Sequence, residues 1–390
     1  MEESTPKILV AEAIAEDAIE ILKTAGQVDV KKNLPPDQLK TILGEYDALV
    51  VRSQTKVTAD LLSAPGKLRI IGRPGVGVDN IDVEAASKHG IVVVNSPLGN
   101  TVSTAEHTIA MMMSLVRQIP RAHGELKGGK WNRSLKGIEL RGKTLGVVGL
   151  GKIGTQVAEM ARGLKMNVIA YDPFVAQEWA DRFGVTMVEL DDLLKQSDFV
   201  TLHLPLTPNT EKLIDASKLA LMKPSAMLIN CARGKLTDEQ ALYDALEKGV
   251  IAGAAIDVYS AEPAVDNVLV KSDKVVVTPH LAASTVEAER NAGTDVAKQV
   301  ADVLRGLPPA TPVNAPIIPP EHMALIGPFM DVAAKLGKIA AGIMEGQAKE
   351  LTIRARGEIA TVATDPLKVE ILRVLLGPTT EERVTITNAD

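Results

Sequence analysis

The 390-residue chain contains one cysteine, Cys231. An internal disulfide is excluded, and a reducing, cytoplasmic setting is expected. Aromatic residues make up 3% of the chain against 46% hydrophobic residues in all, so Val, Ile, Leu and Ala must fill the cores. Layered α/β folds tolerate that composition. A basic excess is also lacking: 43 Lys and Arg stand against 49 Asp and Glu, a net charge of −6. Nucleic-acid binding, which usually needs a basic surplus, is not expected. No apolar run is long enough to span a bilayer, so no membrane partner is expected. The first residues, Met-Glu-Glu-Ser-Thr-Pro-Lys, are too acidic and polar for a secretory signal. No Cys/His cluster has zinc-ligand spacing, so no metal is expected. Low-complexity segments are absent too, and the length suits two or three domains.

What is present is alternation. Strand patterns fall at 7–11, 28–30, 48–51, 68–71 and 91–94, with helical spacing between them, as at Ile14, Ala18 and Leu22. Pro35-Pro36-Asp37 signals a helix start, and Asp82 opens a helix that Gly90 stops. Residues 1–98 therefore read as a βαβ-alternating domain. A long helix is expected from Thr101 to Ile119, ending before Pro120. Strands then follow at 145–148, 167–171, 199–204, 226–231, 251–258 and 274–278, a count that fits a doubly wound sheet. A helix from Ser284 to about Arg305 precedes a proline-rich linker at 313–322. Beyond it a helix at 325–344, a strand at 351–356, a helix at 366–376 and a strand at 384–387 are expected.

The densest signal runs from Lys143 to Pro173. An apolar strand leads into Gly149-Leu150-Gly151-Lys152-Ile153-Gly154, a helix follows, and a second strand ends at Asp172. Strand, G-x-G-x-x-G, helix, strand and acid together form a dinucleotide-binding unit. Gly149 permits the tight turn, Gly151 lets backbone approach a pyrophosphate, and Gly154 lets the helix pack closely. The pyrophosphate would sit on the free N–H groups of the helix start. Asp172 can accept from both ribose hydroxyls and would repel a 2′-phosphate, so NAD is expected over NADP. A second glycine turn, Gly75-Val76-Gly77, also follows a strand. Its amides could cradle a small anion, or it could be a plain strand-end turn.

Three residues lie just past successive strand ends: Arg233, Glu262 and His280. Each alone has a bland reading, as an ion-pair partner, a loop acid or a helix cap. Together they suffice for the acid/base and anion-binding work on a hydroxy acid, with hydride transfer left to the cofactor. A histidine can take the hydroxyl proton, a carboxylate can fix its tautomer, and a guanidinium can bind the substrate carboxylate. His203 is expected to line the cofactor, while Cys231 reads as a buried apolar residue.

Several stretches resemble the D-isomer-specific 2-hydroxyacid dehydrogenases across residues 7–316. They are Val51-Arg52-Ser53 with Thr55-Lys56-Val57-Thr58; Gly75-Val76-Gly77-Val78-Asp79-Asn80; Gly149 to Gly154 with Asp172; Asn230-Cys231-Ala232-Arg233-Gly234; Ala254-Ala255-Ile256-Asp257-Val258; and Pro279-His280-Leu281 with Ala283-Ser284-Thr285. The resemblance implies α/β architecture: two doubly wound parallel-sheet domains, one Rossmann-type and one flavodoxin-like, plus a small C-terminal α/β piece. The substrate domain would be 1–98 with 287–316, the NAD domain 99–286, and 317–390 part of an intervening, allosteric substrate-binding-like domain. A cleft between the first two would close during hydride transfer. The resemblance places the catalytic arginine, glutamate and histidine on Arg233, Glu262 and His280. Cofactor contacts would fall on Val76, Lys152, Ile153, Asp172, Leu204, Cys231, Ala232, Arg233, Asp257, His280, Ala282 and Ala283. Substrate contacts would fall on Arg52, Ser53, Gly75, Val76, Gly77 and Arg233, with Arg133 supplied by a second subunit of a homodimer or homotetramer. The implied partner is a small phosphorylated 2-hydroxy acid, 3-phospho-D-glycerate, oxidised at C2 with NAD. Glyoxylate/hydroxypyruvate reduction and an NAD-sensing corepressor scaffold are the alternatives. Lys235, Pro74 and Ala282 depart from the residues usual at those positions.

Overall fold

The computed structural model describes residues 5–316, 320–344, 350–362, 364–376, 385 and 387. The chain divides into two units, residues 1–100 with 289–390 and residues 101–288.

The first unit is built on five parallel strands: β1 (Lys7–Val10), β2 (Gln27–Val30), β3 (Ala48–Val50), β4 (Ile70–Arg73) and β5 (Val92–Asn95). Their order is β2-β1-β3-β4-β5, the flavodoxin-like arrangement. The central strands are continuous apolar runs because both faces are covered. Leu9, Leu49, Ile71 and Val93 face one core, with Leu39, Leu43 and Leu62. Ile8, Val10, Val50, Ile70 and Val94 face the other, with Leu22, Val296 and Val300. The last two residues come from the helix Val286–Leu304, so one face of this sheet is covered by chain from far downstream. That helix packs tightly: a Cβ on Gly72 would lie 2.6 Å from Val296 Cγ1.

Residues 320–376 carry a small core of their own, where Ile326 and Ala333 of the helix Pro320–Ile343 meet Leu367 and Ile371 of the helix Asp365–Leu376. The strand expected at 351–356 does not form. No described residue offers it a ladder, and a segment without ladder partners is not a strand. The strand expected at 384–387 falls largely outside the described residues.

The second unit holds seven parallel strands: β6 (Thr144–Val148), β7 (Asn167–Tyr171), β8 (Thr186–Met187), β9 (Phe199–Leu202), β10 (Met227–Asn230), β11 (Gly253–Ile256) and β12 (Val275–Val277). Their order is β12-β11-β10-β9-β6-β7-β8, the doubly wound Rossmann pattern with its switch point between β6 and β9. Strand β8, only two residues long at the sheet edge, was not anticipated. β11 stops at Ile256 rather than 258, so Asp257 is the first residue beyond it. The long helix expected at 101–119 is two helices, Thr101–Val116 and Ile119–Lys127. Gln118 between them takes a left-handed conformation, φ 50°. Pro120 lies in the first turn of the second helix, where its missing N–H costs no hydrogen bond. It starts a helix rather than stopping one.

Candidate active site

The glycine turn follows β6 at the switch point. Gly149 has φ 98°, and a Cβ there would lie 2.7 Å from the His203 carbonyl oxygen, so only glycine fits. A Cβ on Gly154 would come within 2.0 Å of the Gly149 oxygen, which is why the helix Lys152–Gly163 can approach the strand so closely. Gly151 differs: a Cβ there would meet nothing within 4 Å. Its bare backbone faces open space at a helix start that no side chain caps. That is the donor set a pyrophosphate needs. Asp172, just past β7, is oriented by two amides, accepting from Leu150 N at 2.9 Å and Phe174 N at 2.9 Å. Each oxygen keeps lone-pair capacity for a ribose hydroxyl. Leu204 borders the turn, its Cδ2 2.9 Å from the position of a Gly149 Cβ. Lys152 is exposed and Ile153 half-buried. These residues fit NAD.

Glu262 and His280 are paired directly. His280 Nδ1 lies 2.9 Å from Glu262 Oε2 and 3.1 Å from Oε1. With Nδ1 donating to the carboxylate, Nε2 is left as the proton acceptor. Glu262 is itself fixed by the Tyr259 N–H at 3.2 Å. The pair walls an apolar pocket with Tyr259, Pro263, Val277 and Pro279. Arg233 caps the short 3₁₀ turn Gly234–Leu236, and its Nη1 donates to the Ala232 carbonyl at 2.8 Å. The Asn230 side chain stitches this loop, donating to the Arg233 carbonyl at 2.9 Å and accepting from Ala232 N at 3.0 Å. A Cβ on Gly234 would overlap the Tyr259 backbone, so glycine lets the Arg233 loop pass close to the residue that anchors Glu262.

Asp257 does more than its position suggested. Its backbone carbonyl accepts from His280 N at 2.8 Å. Its carboxylate accepts from Leu281 N at 2.8 Å and Ala282 N at 3.0 Å, and from the Thr278 hydroxyl at 2.5 Å. One residue thus binds three consecutive amides, and so fixes a turn in which His280 has φ 57°. The side chain is fully buried. Although burial opposes ionisation, hydrogen bonds from His107, Thr278 and the two amides hold the carboxyl below its usual range. His107 Nε2 approaches Asp257 Oδ1 and Thr278 Oγ1, both at 3.3 Å. His203 turns inward to the Thr201 hydroxyl at 2.9 Å, and burial pushes its pKa down to about 3. Burial pushes the Cys231 thiol up to about 12, so it is an unreactive filler. Ala282 is buried, Ala232 and Ala283 are half-buried, and Arg133 is exposed.

The remaining candidates belong to the first unit. Arg52 and Ser53 follow β3 in a loop held from both sides. The buried Glu12 carboxylate accepts from the amides of Arg52 at 2.9 Å, Gln54 at 3.2 Å and Thr55 at 2.8 Å. The Asn80 amide donates to the carbonyls of Arg52 and Thr55, both at 2.7 Å. Asn80 in turn accepts from Arg73 Nε at 2.8 Å. Arg73 reaches toward the second glycine turn, where a Cβ on Gly75 would lie 2.6 Å from its Nη1. The turn of Gly75, Val76 and Gly77 is tethered by Ser96 N to the Gly75 carbonyl at 3.0 Å and by Asn95 Nδ2 to the Val76 carbonyl. Glu12, Arg73, Asn80 and His107 were not anticipated. Only Arg73 had a local signal, a cation at a strand end beside a glycine turn.

Comparison with known proteins places these features. Residues 109–282 match the family described as D-isomer specific 2-hydroxyacid dehydrogenase, NAD binding domain. Residues 325–390 match the D-3-phosphoglycerate dehydrogenase intervening domain. A D-3-phosphoglycerate dehydrogenase of Synechocystis sp. is 48% identical over 385 residues, covering 98% of this chain and 70% of the relative. One from Methanocaldococcus jannaschii is 47% identical, with 98% and 74% covered. Among solved structures, a glyoxylate reductase from Paecilomyes thermophila is similar with a TM-score of 0.73 and 30% identity, covering 80% of this chain and 99% of the other. A D-lactate dehydrogenase from Aquifex aeolicus, complexed with NAD and lactic acid, gives 0.67 and 31%, covering 77% and 96%.

Proposed function

The chain belongs to the D-isomer specific 2-hydroxyacid dehydrogenase family, and from that premise we propose how its residues divide the work. The reaction is the NAD-dependent oxidation of 3-phospho-D-glycerate to 3-phosphooxypyruvate, the first step of phosphorylated L-serine biosynthesis. The observation that supports the assignment of roles is the His280–Glu262 pair at 2.9 Å, with the imidazole held so that Nε2 faces away from its carboxylate partner.

Bound NAD supplies the electrophilic nicotinamide that accepts the C2 hydrogen with its electron pair. His280 Nε2 takes the C2 hydroxyl proton as that hydrogen leaves. Glu262 keeps the neutral tautomer correct and then faces the imidazolium that forms. Arg233 binds the substrate carboxylate and draws charge from the developing carbonyl oxygen. Asp257 holds the backbone that carries His280, and Asp172 takes the ribose. Arg52 meets the phosphate, and the amides of Gly75 to Gly77 help hold the carboxylate. Arg133 completes the phosphate site from a second subunit of a homodimer or homotetramer. Residues 1–98 with 287–316 form the substrate domain, 99–286 the NAD domain, and 317–390 part of an intervening domain. Among the described residues no helix is long and apolar enough to cross a membrane. A reducing cytoplasm is the proposed setting for a chain with a single cysteine.

The likeness to a glyoxylate reductase motivates a second reading, reduction of glyoxylate or hydroxypyruvate. Nicotinamide absorbance with the phosphorylated pair, hydroxypyruvate and glyoxylate separates the two. The phosphorylated pair should turn over with the highest kcat/KM. Equal or better use of glyoxylate would reverse the order.

A further inference from the structure

The Arg52 guanidinium already has an anionic partner. Glu12 and Asn80 clamp the backbone on either side of it, so only the end of the side chain can choose where to go. There Nη2 donates to Glu289 Oε1 at 2.9 Å, and Nη1 reaches the Ala13 carbonyl at 3.4 Å. Glu289 lies in the first turn of the helix Val286–Leu304. The side chains are 32% and 44% exposed, so an incoming anion can reach both. A carboxylate and a phosphate monoester want the same planar fork of donors. If both sit on one guanidinium, their negative charges exceed the single positive one and repel.

We propose that Glu289 is a specificity-determining residue that sets how tightly the phosphate end of the substrate is held. This rests on the phosphate role assigned to Arg52. A phosphate must displace the Glu289 carboxylate from Arg52 or share the guanidinium with it. That opposition weakens binding of a dianion and leaves an uncharged hydroxymethyl group almost untouched. Glu289 therefore keeps the enzyme's hold on phosphorylated ligands, inorganic phosphate included, below what Arg52 alone would give.

Glu289→Gln keeps the size of the side chain and one acceptor but removes the charge. In the full-length enzyme at low salt, KM for 3-phospho-D-glycerate should fall by roughly three- to tenfold, the scale of one surface-level charge interaction. KM for hydroxypyruvate should change much less. The competitive Ki of inorganic phosphate should fall in parallel, and the effect should shrink as salt is added. A KM for the phosphorylated substrate that stays constant or rises overturns the proposal. Arg52→Ala in the same assays separates its failure from that of the underlying reading. Equal losses on phosphorylated and unphosphorylated substrates would remove the phosphate role of Arg52 and the Glu289 proposal with it. A phosphate-selective loss in Arg52→Ala, with no KM decrease in Glu289→Gln, would leave Arg52 in place and reject Glu289 alone.

Discussion

Glu12 in the first unit and Asp257 in the second perform the same physical task with different results. Each is a buried carboxylate just beyond a strand end. Each gathers several backbone amides of a loop that no regular ladder could satisfy. Among the described residues Glu12 binds three amides and nothing else, and the loop it fixes carries a cation, Arg52. Asp257 binds two amides with its side chain and a third with its carbonyl, then adds a hydroxyl and an imidazole. The loop it fixes carries the base, His280, in a left-handed conformation that a side chain adopts at some cost. A loop that only presents charge needs its path defined. A loop that presents a reacting atom needs its torsions defined as well, and the extra donors around Asp257 supply that.

Mutations can break this comparison or sharpen it. The largest effect should come from His280→Ala, which should lower kcat by about 10²–10⁴ while NAD binding, followed by calorimetry, persists. Next, Asp257→Ala leaves buried donors without acceptors and should cost roughly 3 kcal/mol or more in thermal or denaturant unfolding. It should also lower kcat on every substrate. Glu12→Ala should destabilise comparably, yet raise KM for the phosphorylated substrate with kcat on hydroxypyruvate nearly intact. If Glu12→Ala depresses kcat on hydroxypyruvate as strongly as Asp257→Ala does, the two clamps are not doing different jobs. Arg52→Ala should raise KM for the phosphorylated substrate by about 10–100-fold, the loss of one charge-assisted fork, with a smaller change for hydroxypyruvate.

The last effect is one of pH and belongs to the second unit alone. Burial lowers the His203 pKa from 6.5 to about 3. Between those values the unfolded chain binds a proton that the folded chain refuses. Stability is therefore undiminished above pH 6.5 and declines as pH falls toward 3, by at most about 1.4 kcal/mol per unit. His203→Gln should flatten the Tm-versus-pH curve between pH 6.5 and 4. Hydrogen exchange near pH 4.5 should show β9 losing protection relative to β1 in the parent and not in the variant.

The features written in neighbouring residues were legible in the sequence. A strand running into G-x-G-x-x-G and a strand ending in Asp172 are each contiguous. So are the short segments that set Arg233, Glu262 and His280 just past strand ends. What stayed hidden was placed by distant chain. Glu12 lies 40 residues from the Arg52 amide it binds, and Glu289 lies 237 residues from the Arg52 guanidinium. His107 looked like one more helical residue because its partners Asp257 and Thr278 belong to the far end of the same unit. Pro120 misled in another way: the residue that breaks a helix also suits the first turn of the next, and only the left-handed Gln118 decides between them. Strand β8 is too short for any period to register, and the 351–356 segment has a strand's composition but pairs with no strand among the described residues.

The helix Val286–Leu304 has a consequence for how the protein is made. The first sheet is translated early, but Val296 and Val300, which cover one of its faces, follow only after the whole second unit. At about 5–20 residues per second, that delay is on the order of tens of seconds. Throughout it, the alternate face of Ile8, Val10, Val50, Ile70 and Val94 lacks this cover. A nascent chain at that stage presents an unfinished aliphatic surface, the kind of surface that chaperones bind and that drives aggregation. Synthesis therefore ends the first domain's folding rather than beginning it: the N-terminal sheet waits for a lid encoded nearly three hundred residues downstream of its first strand.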